Sequence, residues 1–152
     1  MRLSRTRVAG HFGEWLQGLA APGGPVALVT LPCPALCLTA TAQPARGLLL
    51  HDPARILPPG RARAFLRALG LRAQERIRLL PQMPPGGGAG ASTAALVALA
   101  RLCAPDVGPD QVARACLAVE GASDPLMFRD PARLIWASRR GEVLGHLPEP
   151  PR

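Results

Sequence analysis

The sequence contains no lysine and no tyrosine, and aromatic residues make up only 3% of its 152 positions. Without lysine, a Walker-type loop is excluded, because G-x-x-x-x-G-K-[ST] needs that side chain to neutralise the β- and γ-phosphates. The scarcity of aromatics disfavours a stacking platform for single-stranded nucleic acid. No run of apolar residues is long and unbroken enough for a transmembrane helix, so no membrane partner is expected. The four cysteines, Cys33, Cys37, Cys103 and Cys116, lack the paired short spacings of a zinc site and read as buried free thiols. His11, His51 and His146 are dispersed, without metal-ligand spacing. The basic opening Met1–Arg7 is followed by a stretch that Glu14 and Gln17 interrupt, unlike a secretory apolar region, and a cytoplasmic protein is the expectation.

What is present is a chain of globular composition, 48% hydrophobic, whose core must be built from Leu, Val, Ile and Ala. The formal charge of +8 comes from arginine alone and is scattered along the chain. Scattered basic charge favours anionic ligands in general and reads first as solvated surface.

Val26–Leu31 and Ala35–Thr41, parted by Pro32 and Pro34, read as two strands, and Arg46–His51 as a third. After Pro58 and Pro59, the segment Gly60–Leu69 places Phe65, Leu66 and Leu69 on a face opposite its arginines, predicting an amphipathic helix. Glu75–Leu80 alternates charged and apolar residues as a half-buried strand does. Thr93–Leu102 is almost wholly apolar and predicts a buried helix, and Pro109–Val119 predicts another. Arg133–Ser138 and Glu142–Leu147, joined by Arg139-Arg140-Gly141, predict a hairpin.

Between the predicted strand at 75–80 and the apolar helix lies Pro84-Pro85-Gly86-Gly87-Gly88-Ala89-Gly90-Ala91-Ser92-Thr93. Glycines let a backbone approach an anion closely, and a helix N-terminus offers unpaired N–H donors, so this stretch reads as a phosphate cradle. A Rossmann fingerprint fits poorly, because several antiparallel-looking strands precede the loop.

The loop resembles motif two of the GHMP kinases, the superfamily of galactokinase, homoserine kinase and mevalonate kinase, written P-x-x-x-G-L-G-S-S-A. The second serine of that motif falls on Ser92, and the first falls on Ala91. Gly13-Glu14-Trp15-Leu16-Gln17-Gly18 resembles the C-G-E-x-x-Q-G opening of the L-threonine kinase branch, from cobalamin synthesis and propanediol utilisation. Ser123-Asp124-Pro125-Leu126-Met127-Phe128 is similar to that branch's P-T-D-x-x-M-[FY] segment.

The resemblance implies an α+β fold, the GHMP kinase N-terminal domain, with a mixed sheet, helices and a left-handed βαβ unit over residues 1–147. A proline-rich linker or truncated end at 148–152 and the absence of a C-terminal domain complete that expectation. It further implies ATP and Mg2+ as cofactors, with nucleotide held by Pro85, Gly86, Gly87, Gly88, Ala89, Gly90, Ala91, Ser92 and Thr93. Ser92 and Glu120 would hold the metal, although Glu120-Gly121-Ala122 departs from the family's usual E-P-T. Glu14 and Gln17, in a turn, would shape the acceptor site, and Asp124 would be the base that takes the hydroxyl proton of a small-molecule substrate. The partner expected is the missing C-terminal domain or a separate chain that supplies it. Two other classes stay open: an inactive binding or scaffold remnant of the fold, and a basic nucleic-acid-associated module, the less favoured of the two.

Overall fold

A computed structural model describes residues 3–148, so the proline-rich end expected at 148–152 lies, from Glu149 on, outside the described residues. Its elements are β1 (Ser4–Leu19), β2 (Val26–Pro44), β3 (Leu49–His51), α1 (Pro59–Ala68), β4 (Glu75–Pro81), α2 (Ala91–Cys103), α3 (Pro109–Glu120), β5 (Leu134–Ala137) and β6 (Glu142–His146), with a short 3-10 turn at Pro131–Arg133. The sheet runs β3-β4-β2-β5-β6, and β1 pairs with β2. All pairings are antiparallel except β3 with β4. That parallel pair, joined through α1, is the βαβ unit of the fold.

Two expectations about the first half are corrected. The residues read as two strands form one, β2, which passes through Pro32 and Pro34 without a break. Proline removes a ladder donor, so it is tolerated where one side of a strand has no partner. Here β4 pairs only from Leu38 onward and β5 only at Leu28, which leaves the proline stretch with β1 alone. The second correction is β1 itself: Gly13–Gly18, read as a turn, belongs to a strand, and the chain reverses only at residues 20–25. The alternation of polar and apolar residues there is too irregular to announce a strand. Pairing along β2, with shifts in register between Ala9 and Gly10 and between His11 and Glu14, imposes it.

The core follows from periodicity. On β4, Ile77 and Leu79 are buried while Arg76 and Arg78 face outward. Every residue of α2 from Thr93 to Ala100 is buried, and its alanines let the helix lie close on β1 and β2. Phe65 on α1 is fully buried, and α1 packs mainly against α3. On β5, Trp136 is fully buried and packs edge-on against Phe128, with ring centroids 5.6 Å apart. Its Nε1–H donates to the carbonyl of Ser123 at 2.6 Å, and the Ser123 N–H donates to the Ser138 carbonyl at 3.0 Å. These bonds tie the segment that carries Asp124 to the sheet. Among the described residues, no helix is long and apolar enough to cross a membrane.

Candidate functional site

Residues from five places in the chain meet at the N-terminus of α2. The loop before it is exposed from Pro84 to Gly88, then turns inward at Ala89. Gly90 closes the turn with φ of 74°, in the left-handed region, and the helix start has no side-chain cap. A Cβ on Gly90 would stand 2.8 Å from Cδ2 of His11 and 3.0 Å from Oδ2 of Asp124. The loop is also tied to β1, where the His11 N–H donates to the Ala89 carbonyl at 3.2 Å.

The first turn of α2 points two hydroxyls at the end of α3. Ser92 Oγ donates to Oε1 of Glu120 in a short contact, and Thr93 Oγ1 donates to Oε2 at 3.3 Å. The Asp124 N–H approaches the same Thr93 hydroxyl at 3.5 Å. Arg61 reaches over from α1, with Nη1 3.5 Å from Ser92 Oγ and 3.6 Å from Oε1 of Glu120. A hydroxyl and a carboxylate side by side form a hard-oxygen donor set, the chemistry a magnesium ion prefers.

Across from this pair, Oδ2 of Asp124 lies 3.2 Å from Nε2 of a buried histidine, His11. Burial of the imidazole favours its neutral form, but the hydrogen bond and charge of Asp124, with the charge of Glu14, outweigh it and hold the pKa of His11 above its usual value. The negative character of the corner also reaches Cys116, whose thiol is pushed up by burial and then by the charges of Glu120 and Asp124. Cys103, further along α2, is pushed up to about 12 by burial and by Glu75. Both are poor nucleophiles, in keeping with structural thiols.

The structure therefore gathers Gly90, Ala91, Ser92, Thr93, Glu120, Asp124 and Glu14 of the residues singled out in the sequence. It does not bring in Gln17, which lies opposite Leu28 on β1 and lines a separate surface recess with Ala27, Leu28, Val29 and Ile135. His11 and Arg61 are additions. His11 is one of three dispersed histidines, and only the fold sets it against Asp124. Arg61 sits on the arginine face of an amphipathic helix, and nothing in its spacing distinguishes it from its neighbours. A wide recess lies elsewhere, an open basic shelf at the β3–β4 edge formed by Leu49, Leu50, His51, Arg76 and Arg78. It contains no buried polar side chain that would make it the better site.

The chain matches no protein-family model and no curated protein. Among solved structures it is similar to the mevalonate kinase of Methanococcus jannaschii, with a TM-score of 0.51 and 14% identity, over 86% of this chain and 50% of that one. The mevalonate kinase of methicillin-resistant Staphylococcus aureus also matches, with a TM-score of 0.47 and 13% identity, over 80% of this chain and 47% of that one. The chain thus spans about half the length of the solved structures it matches. The likeness to the Methanococcus jannaschii protein shows the fold: a mixed α+β domain like the N-terminal domain of the GHMP kinases.

Proposed function

We propose that this chain is the nucleotide-binding half of an ATP-dependent small-molecule kinase, which transfers the γ-phosphoryl of Mg-ATP to a metabolite hydroxyl. The observation that carries the reading is the convergence of Ser92, Thr93 and Glu120 beneath the glycine turn, with Asp124 facing them. The uncapped start of α2 supplies backbone N–H donors and a partial positive charge for phosphate oxygens. Arg61 adds a cation beside them, in a chain that has no lysine to offer. Ser92 and Glu120 would hold Mg2+, which when bound neutralises charge on the phosphates. Asp124 would accept the proton of the acceptor hydroxyl, and Glu14, close to it, would orient that acceptor.

L-Threonine is the acceptor to try first, on the strength of the Glu14-to-Gly18 and Ser123-to-Phe128 motifs. The half-length match supports a second half, downstream or on a partner chain, that covers the site. A second reading, an inactive scaffold that keeps the fold, is favoured by Ala91, which takes the place of one motif hydroxyl.

Isothermal calorimetry with Mg-ATP tests the nucleotide assignment. Wild type is expected to bind, and Ser92→Ala to bind at least several-fold more weakly, because a hydrogen bond to a charged group is worth about 1.5–3 kcal/mol. Absence of heat with Mg-ATP, together with steeply salt-dependent binding to an oligonucleotide, would replace the kinase reading with a nucleic-acid module.

A further inference from the structure

His11, Glu14 and Asp124 place one ligand atom each within 4.8 Å of one another, a grouping that could be taken for a cation site. The bonding of the imidazole argues otherwise. The bulge in β1 gives Gly13 a φ of 75° and turns its N–H back to Nδ1 of His11, at 3.1 Å. A backbone N–H can only donate, so Nδ1 is the acceptor and the proton of the neutral ring resides on Nε2. A metal-bound histidine shows the reverse arrangement, with the bare nitrogen on the metal and the other N–H donated outward.

Nε2 is buried and, among the described residues, has no hydrogen-bond partner apart from its approach to Asp124, 3.2 Å away. Leaving such a group without an acceptor costs about 1–3 kcal/mol, so the carboxylate is the partner it requires. The separation is at the long end for N–H···O, as is common for catalytic hydrogen bonds before substrate tightens them. Gly90 presses on both partners from the third side, since the space of its missing side chain is filled by the imidazole and by Oδ2.

We propose that His11 is the positioning residue of Asp124: it presents Nε2–H to Oδ2 and leaves Oδ1 as the oxygen free to face the acceptor hydroxyl. The catalytic consequence rests on the kinase reading above; the tautomer and the pairing do not. In either protonation state Nε2 keeps its proton, and only Nδ1 titrates, by opening the contact to Gly13. Glu14 on β1 and Asp124 are the charged groups that act on the ring.

Two measurements on the full chain separate the pairing from the activity. Long-range 1H–15N spectra of the imidazoles, taken above the pKa of His11, are expected to show a protonated Nε2 and a bare Nδ1. Asp124→Asn should lower the pKa of His11, and added Zn2+ should leave the Nε2 proton in place. A protonated Nδ1, or loss of the Nε2 proton to Zn2+, overturns the proposal whether or not the protein is a kinase. In turnover, His11→Ala should lower kcat by about 10²-fold, the scale set by misplacing a reacting group by an ångström, with KM for ATP little changed. His11→Gln, whose amide can still donate, should recover much of that loss. Equal kcat in wild type and His11→Ala, in a protein that phosphorylates its acceptor, overturns the positioning role. A protein with the expected tautomer that transfers phosphate to no hydroxyl acceptor, even with the second half supplied, keeps the pairing and removes the kinase reading.

Discussion

Asp124→Asn is expected to lower the rate of phosphoryl transfer by about 10²–10⁴-fold, the range a positioned general base contributes. The substitution keeps the shape of the side chain and its backbone donation to Thr93, but the neutral amide cannot take a proton from the acceptor hydroxyl. ATP binding should change little, because the bonds between α2 and Glu120 do not involve the Asp124 carboxylate. Transfer measured as phosphate delivered to L-threonine under saturating Mg-ATP, alongside nucleotide affinity by calorimetry, separates the two effects. A wild-type rate in Asp124→Asn would show that the base is elsewhere.

Gly90→Ala has the second large effect, on stability and site together. The left-handed φ costs an alanine about 1–2 kcal/mol, and overpacking a filled space adds about 1–3 kcal/mol. The neighbours that must move are the imidazole of His11 and the carboxylate of Asp124, not the ends of flexible exposed chains. A loss of about 2–5 kcal/mol is therefore expected in chemical denaturation, with the His11 resonances shifted in whatever folded fraction remains. Full stability with unshifted His11 resonances would mean that the loop does not rest on the His11–Asp124 pair.

The sequence made the second half of the molecule legible because its signals are local. The arginine and leucine alternation of β4, the apolar run of α2 and the glycine turn between them are each specified by near neighbours, and they appear within a few residues of where they were read. Asp124 and Glu120 stand out through motif resemblance, and the fold brings both to the first turn of α2. The first half was less legible. Strand β1 owes its existence to pairing with β2, and the proline-containing middle of β2 survives because one side has no partner there, a fact of sheet order that no window of sequence contains. His11 was hidden for the same reason, since a bulge at Gly13 aims it and residues far along the chain surround it. Arg61 needed the packing of α1 beside α3 before it could be told from its neighbours, and the pairing of β1 with β2 leaves Gln17 outside.

If the glycine turn, the start of α2 and Glu120 form one nucleotide site, the three should respond together to Mg-ATP. Amide hydrogen exchange of the full chain with and without Mg-ATP tests it most directly. Added protection is expected to concentrate in residues 86–93 and at the end of α3 near Glu120, and to be lost in Ser92→Ala. Protection confined to the basic shelf of His51, Arg76 and Arg78, with residues 86–93 unchanged, would contradict it.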